Sequence, residues 1–419
     1  MAPQQADRIG NDVGMNVSMT EAERFTTDMA TLAVRLGANV QPGQIVAVSS
    51  EPGKEAMARA VAEEAYAAGA KFVDLSVFDV YFKRARALNA ERDTLGYVPP
   101  WLGERVLALG EERAARISLS GPVAPHALDD VDPQLISLDR LPRVPEAMKV
   151  LNDATTNWTI VPCPTPAWAS LVYPRLEPPA ALERLWSEIA HVTRLDEPDP
   201  VEAWDNRMRE LLRVSSALDE LRLDRVRFEG PGTDLTIGLL PSSSWLAAKF
   251  QTAGGIEHHP NLPTEEVFTT PDPERVEGEV TSTKPLFTSG TTVTGLKVRF
   301  QGGRAVHVEA EQGAEVIRGM IEADEGAARL GEVALVDREG RIGPLGTVFY
   351  DTLLDENAAS HIALGHGYVA GVKDPAQHDR ANTSVIHTDF MIGSNEVSVT
   401  GFLSNGDAVP LLRDGRWQI

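Results

Sequence analysis

Residues 44–78 read QIVAVSSEPGKEAMARAVAEEAYAAGAKFVDLSVF, and the change of pattern within them decides the fold of the first part of the chain. The two ends, QIVAVSS and KFVDLSVF, are short runs rich in Val, Ile and Phe, side chains that pack well on a pleated surface. Between them, GKEAMARAVAEEAYAAGA is rich in Ala, the best helix former, and stops at Gly69. Strands joined through a helix lie parallel, so this stretch reads as a βαβ unit. Upstream, TEAERFTTDMATLAVRLG sets Phe25, Met29, Leu32, Ala33 and Leu36 at helical spacing and ends on Gly37. Downstream, a helix around Trp101 to Arg116 leads into ARISLSG, and TIVPCP near Thr159 reads as a further buried strand. Residues 20–195 are therefore expected to form an α/β domain of parallel βαβ units, behind a flexible tail over residues 1–19.

The stretch RLDEPDPV (194–201), with two prolines and three acidic residues, marks the expected boundary, and the helical pattern EAWDNRMRELLRVSSALDEL follows it. Beyond it the periodicity turns to strands with short turns. RVRFEGPGTDLTIGLL reads as a hairpin, and TTVTGLKVRF and RAVHVEAE flank Gln301-Gly302-Gly303 as another. One helix (EQGAEVIRGMIEADEGAARL) and three apolar runs (GEVALV, TVFYDTLL, EVSVTGFL) complete an expected α+β domain over residues 196–419, and this domain carries the site.

Composition narrows the function. The 39 Lys and Arg against 61 Asp and Glu give a formal charge of -22, which repels phosphate backbones, so nucleic acid is not an expected partner. No run approaches the ~20 apolar residues that cross a bilayer, and the N-terminal stretch lacks the apolar core of a signal peptide. Cys163 is the single cysteine, so no intrachain disulfide forms and any metal must be held by His, Asp, Glu or Tyr; a reducing cytoplasm is the expected location.

Seven of the nine histidines follow residue 250. The helix motif HExxH, a GxSxG elbow and a GxxxxGK[ST] loop are all missing from the sequence. What remains is a carboxylate-rich set with two histidines. Two adjacent divalent ions need three or four carboxylates to balance their charge, which Glu266, Glu332, Glu356 and Asp389 would supply. Histidines tune such a site toward Zn, Co or Mn. His387 and Asp389 alternate along a strand pattern and so share a face. Each residue alone also has an ordinary reading: Glu265-Glu266 as a solvated or capping pair, His361 as a core histidine, Glu332 as a strand-edge charge, Tyr368 as packing. His258, His259, His366 and His378 read as surface or loop residues.

PTEEVFT (263–269), LGEVA (330–334), DENAASHIALG (355–365) with Tyr368, and HTDFMIG (387–393) occur in an order and at intervals that resemble the M29 family of metalloaminopeptidases. FEGPGTDLTIGL (228–239), STKPL (282–286), ADEGAARLGEVALV (323–336) and DPVEAW near residue 200 are similar to family stretches as well. The resemblance implies that Glu266, Glu332, His361, His387 and Asp389 are metal ligands with Glu332 a bridge, that Glu356 is a further ligand or a carboxylate just outside the ligands, and that Tyr368 lies at the metals. It also implies two divalent ions per subunit (Zn, Co, Mn or Mg), a homodimer, and peptides with a free N-terminus as substrates. Two departures bear on the substrate entrance: a short Tyr368–His387 segment and the His258-His259 pair.

On that reading a hydroxide held between two ions attacks the scissile carbonyl, Tyr368 donates to the oxyanion, and Glu265 or Glu356 carries the proton to the leaving amine. A two-metal hydrolase of another ester or amide, and a non-catalytic binding protein on the same fold, are the competing readings.

Overall fold

The computed structural model describes residues 20–419 apart from Arg143, Ala248, Ser289 and Gly290. The expected tail over residues 1–19 lies outside the described residues. Three larger sheets organise the chain: four-stranded, five-stranded and eight-stranded.

The βαβ reading of residues 44–78 holds. Strands Ile45–Ser50 and Phe72–Val77 pair in parallel, with Val46 opposite Val73, and the helix Glu55–Ala67 joins them. Ala115–Ser120 adds on the other side of Ile45–Ser50, and Trp158–Pro162 completes a four-stranded parallel sheet. The first helix, Glu21–Leu32, starts on a capping box: the Thr20 hydroxyl accepts from the Glu23 amide, and the Glu23 carboxylate accepts from the Thr20 amide.

The RLDEPDPV stretch is anchored at its start, while Asp196, Pro198 and Asp199 are exposed. Arg194 and Leu195 are buried, and the Arg194 guanidinium lies 4.7 Å over the Trp204 ring. The following helix runs Pro200–Leu221, two residues longer at its start than the pattern implied, because the Asp199 side chain accepts from the Glu202 amide and Pro200 takes the first helical position.

The later strands are antiparallel. Arg225–Gly230 and Thr233–Leu239 form a hairpin across Pro231-Gly232, and Lys297–Gln301 and Arg304–Glu309 form one across Gly302 and Gly303, both at positive φ as that tight turn requires. These belong to the eight-stranded sheet. One expectation fails locally. The helix expected over EQGAEVIRGMIEADEGAARL is confined to Ala314–Met320, because the Asp324 carboxylate instead takes the Ala327 and Val385 amides and folds the remainder into turns. In the apolar run TVFYDTLL, Tyr350 sits at φ 57 and the chain closes into the one-turn helix Thr352–Asp355.

The five-stranded sheet runs in the order His387–Met391, His361–Gly365, Leu330–Val336, Glu266–Thr269, Leu246–Ala247. Nearly every residue of its central strands is buried. Three of the four segments compared above thus become neighbouring strands, and the fourth, PTEEVFT, brings in Glu266 on the next. Among the described residues no helix is long and apolar enough to cross a membrane.

Candidate metal centre

The register of the five-stranded sheet puts the chemistry on one face. Glu332 stands opposite Ala363, which stands opposite Asp389; His361 stands between Ala334 and Met391; Glu266 stands opposite Val336. Residues paired across a sheet point the same way, and alternation along each strand keeps i and i+2 together. Glu266, Glu332, His361, His387 and Asp389 therefore converge, although they are spread over more than 120 residues of sequence.

Two donor sets result. Ligand atoms of Glu266, Glu332 and His361 lie within 4.8 Å of one another, and so do those of Glu332, His387 and Asp389. Glu332 belongs to both. His361 Nε2 is 3.0 Å from Glu266 Oε2 and 3.6 Å from Glu332 Oε1, while His387 Nε2 is 3.7 Å from Glu332 Oε2 and 3.4 Å from Asp389 Oδ1. The Nδ1 atoms are turned away: that of His361 meets the Ala359 carbonyl at 3.1 Å and that of His387 the His366 carbonyl at 2.8 Å. A carbonyl only accepts, so Nδ1 carries the proton in both rings and Nε2 is presented to the cluster, as in metal-ligating histidines.

Glu266 Oε2, His361 Nε2 and Asp389 Oδ1 are buried without a hydrogen-bond partner. Buried polar atoms of this kind are costly, and two carboxylate oxygens facing an imidazole nitrogen are the donor set that a divalent cation completes. The electrostatics agree. Burial pushes Glu332 up, and Asp389 and Glu266 push it further. Burial alone would lower both imidazoles, yet Glu266 and Glu332 hold His361 well above its ordinary value, and Asp389 raises His387 to about 10. The cluster holds more negative charge than its own groups neutralise.

A bulge shapes this face. The register slips between Leu330 and Glu332, and a Cβ on Gly331 would come within 2.2 Å of the His366 carbonyl oxygen. Only glycine lets the 365–367 segment press so close, and that same carbonyl holds His387.

Other candidates separate here. Glu356, on the turn before His361, is raised well above the ordinary range by burial and then by Asp389 and Glu266, which places it beside the cluster. The Tyr368 ring lies 5.0 Å from that of His387, with Phe268 and His366 against its other edges. Burial, then Glu332 and Asp389, push its phenol up, so it keeps its proton. Glu265 does not join them. As the neighbour of Glu266 it points to the opposite face, where Arg194 meets its Oε1 at 2.8 Å and Arg207 its Oε2 at 2.5 Å. Of the two carboxylates expected to carry the proton, only Glu356 is at the cluster. His258 and His259 are buried, not surface, residues; burial pushes His258 down to about 4, between the Phe250 and Trp158 rings. Arg194 and Arg207 escaped sequence reasoning because nothing in a helix pattern reveals a partner beneath a distant strand.

The profile of the thermophilic metalloprotease (M29) family matches residues 23–417. The chain is 42% identical over 404 residues to "Aminopeptidase T" of Thermus aquaticus, covering 93% of this chain and 98% of that protein. It is 34% identical to "Aminopeptidase 2" of Geobacillus stearothermophilus, covering 95% of this chain and 99% of that one. Among solved structures, wild-type AmpT from Thermus thermophilus superposes with a TM-score of 0.88 at 40% identity, over 95% of this chain and 100% of that chain.

Proposed function

This chain belongs to the thermophilic metalloprotease (M29) family and is a metalloaminopeptidase, and from that premise we propose that it removes the N-terminal residue of peptides at a pair of divalent ions, Zn, Co, Mn or Mg. The first donor set (Glu266, Glu332, His361) and the second (Glu332, His387, Asp389) would each hold one ion, with Glu332 common to both. The observation that carries this reading is the carboxylate of Glu332 common to both sets. When bound, the ions supply Lewis acidity and lower the pKa of a water toward ~7, so that a nucleophile is available at neutral pH.

The chain's own residues do the rest. Glu356, buried beside the donor sets, takes a proton from the attacking water and passes it to the leaving amine nitrogen. The Tyr368 hydroxyl donates a hydrogen bond to the carbonyl oxygen as negative charge develops there. The backbone carbonyls of Ala359 and His366 fix the two imidazoles so that neither swings away. We assign residues 20–195 to an α/β domain and 196–419 to the domain that carries the site, and we propose that the protein acts in the cytoplasm as a homodimer.

Elemental analysis of the purified protein should find two divalent ions per chain, and chelation should abolish activity until Zn, Co or Mn is returned. A peptide with a free N-terminus should be shortened one residue at a time while its N-acetylated twin survives, because acetylation removes the amine that an exopeptidase must recognise. Internal cleavage of the acetylated peptide at a comparable rate, read by mass spectrometry, would exclude an aminopeptidase.

A further inference from the structure

We propose that Lys284 forms an anion subsite beside the metal cluster, where its ammonium binds a carboxylate of the substrate. The proposal rests on the aminopeptidase reading and adds a substrate class to it. Lys284 lies in the segment STKPL, which is held against a ligand strand: the Thr283 amide donates to the Met391 carbonyl at 2.8 Å, and the Thr283 hydroxyl to the Gly393 carbonyl at 2.7 Å. Pro285 restricts Lys284 to extended backbone, so the lysine is presented by a fixed segment.

Lys284 lines a cavity of about 430 Å³, within the ~300–1,000 Å³ range of ligand pockets. The cavity adjoins the site. Val336 in its wall is paired with Glu266 and shares the face of Glu332, and Ala358 and Ser360 in its wall lie between Glu356 and His361. Its charge is one-sided. Asp337 is the single acidic residue among the described residues that line it, and Arg207 already meets Asp337 at 2.7 Å. Among the described residues Lys284, half-buried, meets no hydrogen-bond or ion-pair partner. In a chain of net charge -22, a half-buried cation that meets no carboxylate among the described residues is a departure that a bound anion would compensate.

An aminopeptidase substrate brings a carboxylate in one of two ways: on the side chain of an N-terminal Asp or Glu, or as the C-terminus of a short peptide. Both present the same group to Lys284. The test uses the metal-loaded protein and its Lys284→Met and Lys284→Arg variants, each shown by thermal melting to be folded. Two substrate pairs differ only in the carboxylate: glutamyl- against glutaminyl-p-nitroanilide, and Leu-Gly-Gly against its C-terminal amide. For one pair, the ratio of kcat/KM, charged over neutral, should fall roughly 10–100-fold in Lys284→Met, mainly through KM, and recover in Lys284→Arg. The pair that moves identifies the source of the carboxylate. Calorimetric titration with glutamate and with glycylglycine reads the same contact without turnover and should show the matching loss of affinity. Ratios and affinities within twofold of the native protein would overturn the subsite. Failure of the native protein to cleave any of the four substrates would count against the aminopeptidase reading itself, and the calorimetric result would still decide Lys284.

Discussion

Glu332 lies in both donor sets, whereas Tyr368 and Glu356 stand beside them. Losing Glu332 should therefore empty the site, and losing either neighbour should slow the reaction with the ions still in place. For Tyr368→Phe a loss of ~10²–10³ in kcat is expected, the usual effect of one oxyanion donor, and for Glu356→Gln a loss of ~10²–10⁴ from the missing proton carrier. Metal analysis beside steady-state kinetics separates the cases; an unchanged rate in Tyr368→Phe would reduce that ring to packing. The same residues set a pH dependence. Without metal, His361 and His387 are raised, the latter to about 10, so both imidazoles carry their protons at neutral pH. A ligating Nε2 must be free, so uptake of metal must release protons. Affinity for Zn or Mn should then rise with pH from ~6 to ~8, by up to about tenfold per unit for each proton released. Calorimetry in two buffers of different ionisation enthalpy measures the protons; uptake with none released would contradict the assignment of the histidines.

At the scale of elements, the strand Glu266–Thr269 is held from behind. Arg194 and Arg207 clamp the Glu265 carboxylate, Arg207 also meets Asp337, and the Glu265 amide donates to Asn357 Oδ1 at 2.7 Å, one residue beyond Glu356. These groups are almost wholly buried, so Glu265→Ala would leave the Arg194 guanidinium without its anion and Arg207 with Asp337 alone. It should cost ~3–5 kcal/mol of stability, read as a lower denaturation midpoint, while Glu265→Gln keeps the volume and some hydrogen bonds and should lose less. Equal, small losses in both would show the clamp to be dispensable. Glu265 also shows where the sequence stops being legible. Periodicity revealed the βαβ unit, the hairpins and the alternation of His387 with Asp389, since each depends on residues a few positions apart. It also made Glu265 and Glu266 look equivalent, because which face of a strand meets the site is settled by register with strands some 70 and 120 residues away. The 347–354 run shows the same limit: its apolar content says nothing of its path, which Tyr350 at positive φ and the Asp355 carboxylate, taking the Phe349 amide at 2.7 Å, turn into a helical turn. Lys284 reaches the site only through the fold, carried there by hydrogen bonds from Thr283 to the end of a ligand strand.

At the scale of the whole molecule, the distribution of exposed apolar side chains is uneven. Strand Phe72–Val77 is an edge of the parallel sheet, and among the described residues no strand pairs with its outer side. Phe72, Leu75 and Val77 on it, with Tyr81 and Phe82 in the helix that follows and Trp101 beyond, are each more than half exposed, Phe82 the most at 77%. Scattered single apolar residues are ordinary on a surface, but an open edge strand flanked by aromatic side chains invites association. On a chain this acidic, long-range repulsion opposes self-association, so an interface between two copies has to draw on apolar burial and should tighten as salt screens the charge. The proposed homodimer therefore has its most suitable surface here. Sedimentation at moderate ionic strength should give twice the mass of one chain, and Phe82→Glu combined with Trp101→Glu should shift it to the mass of one chain without altering the thermal melt of the metal-bearing half. A protein that sediments as a single chain at every concentration would remove the homodimer, and a dimer unmoved by the double substitution would transfer it to another face.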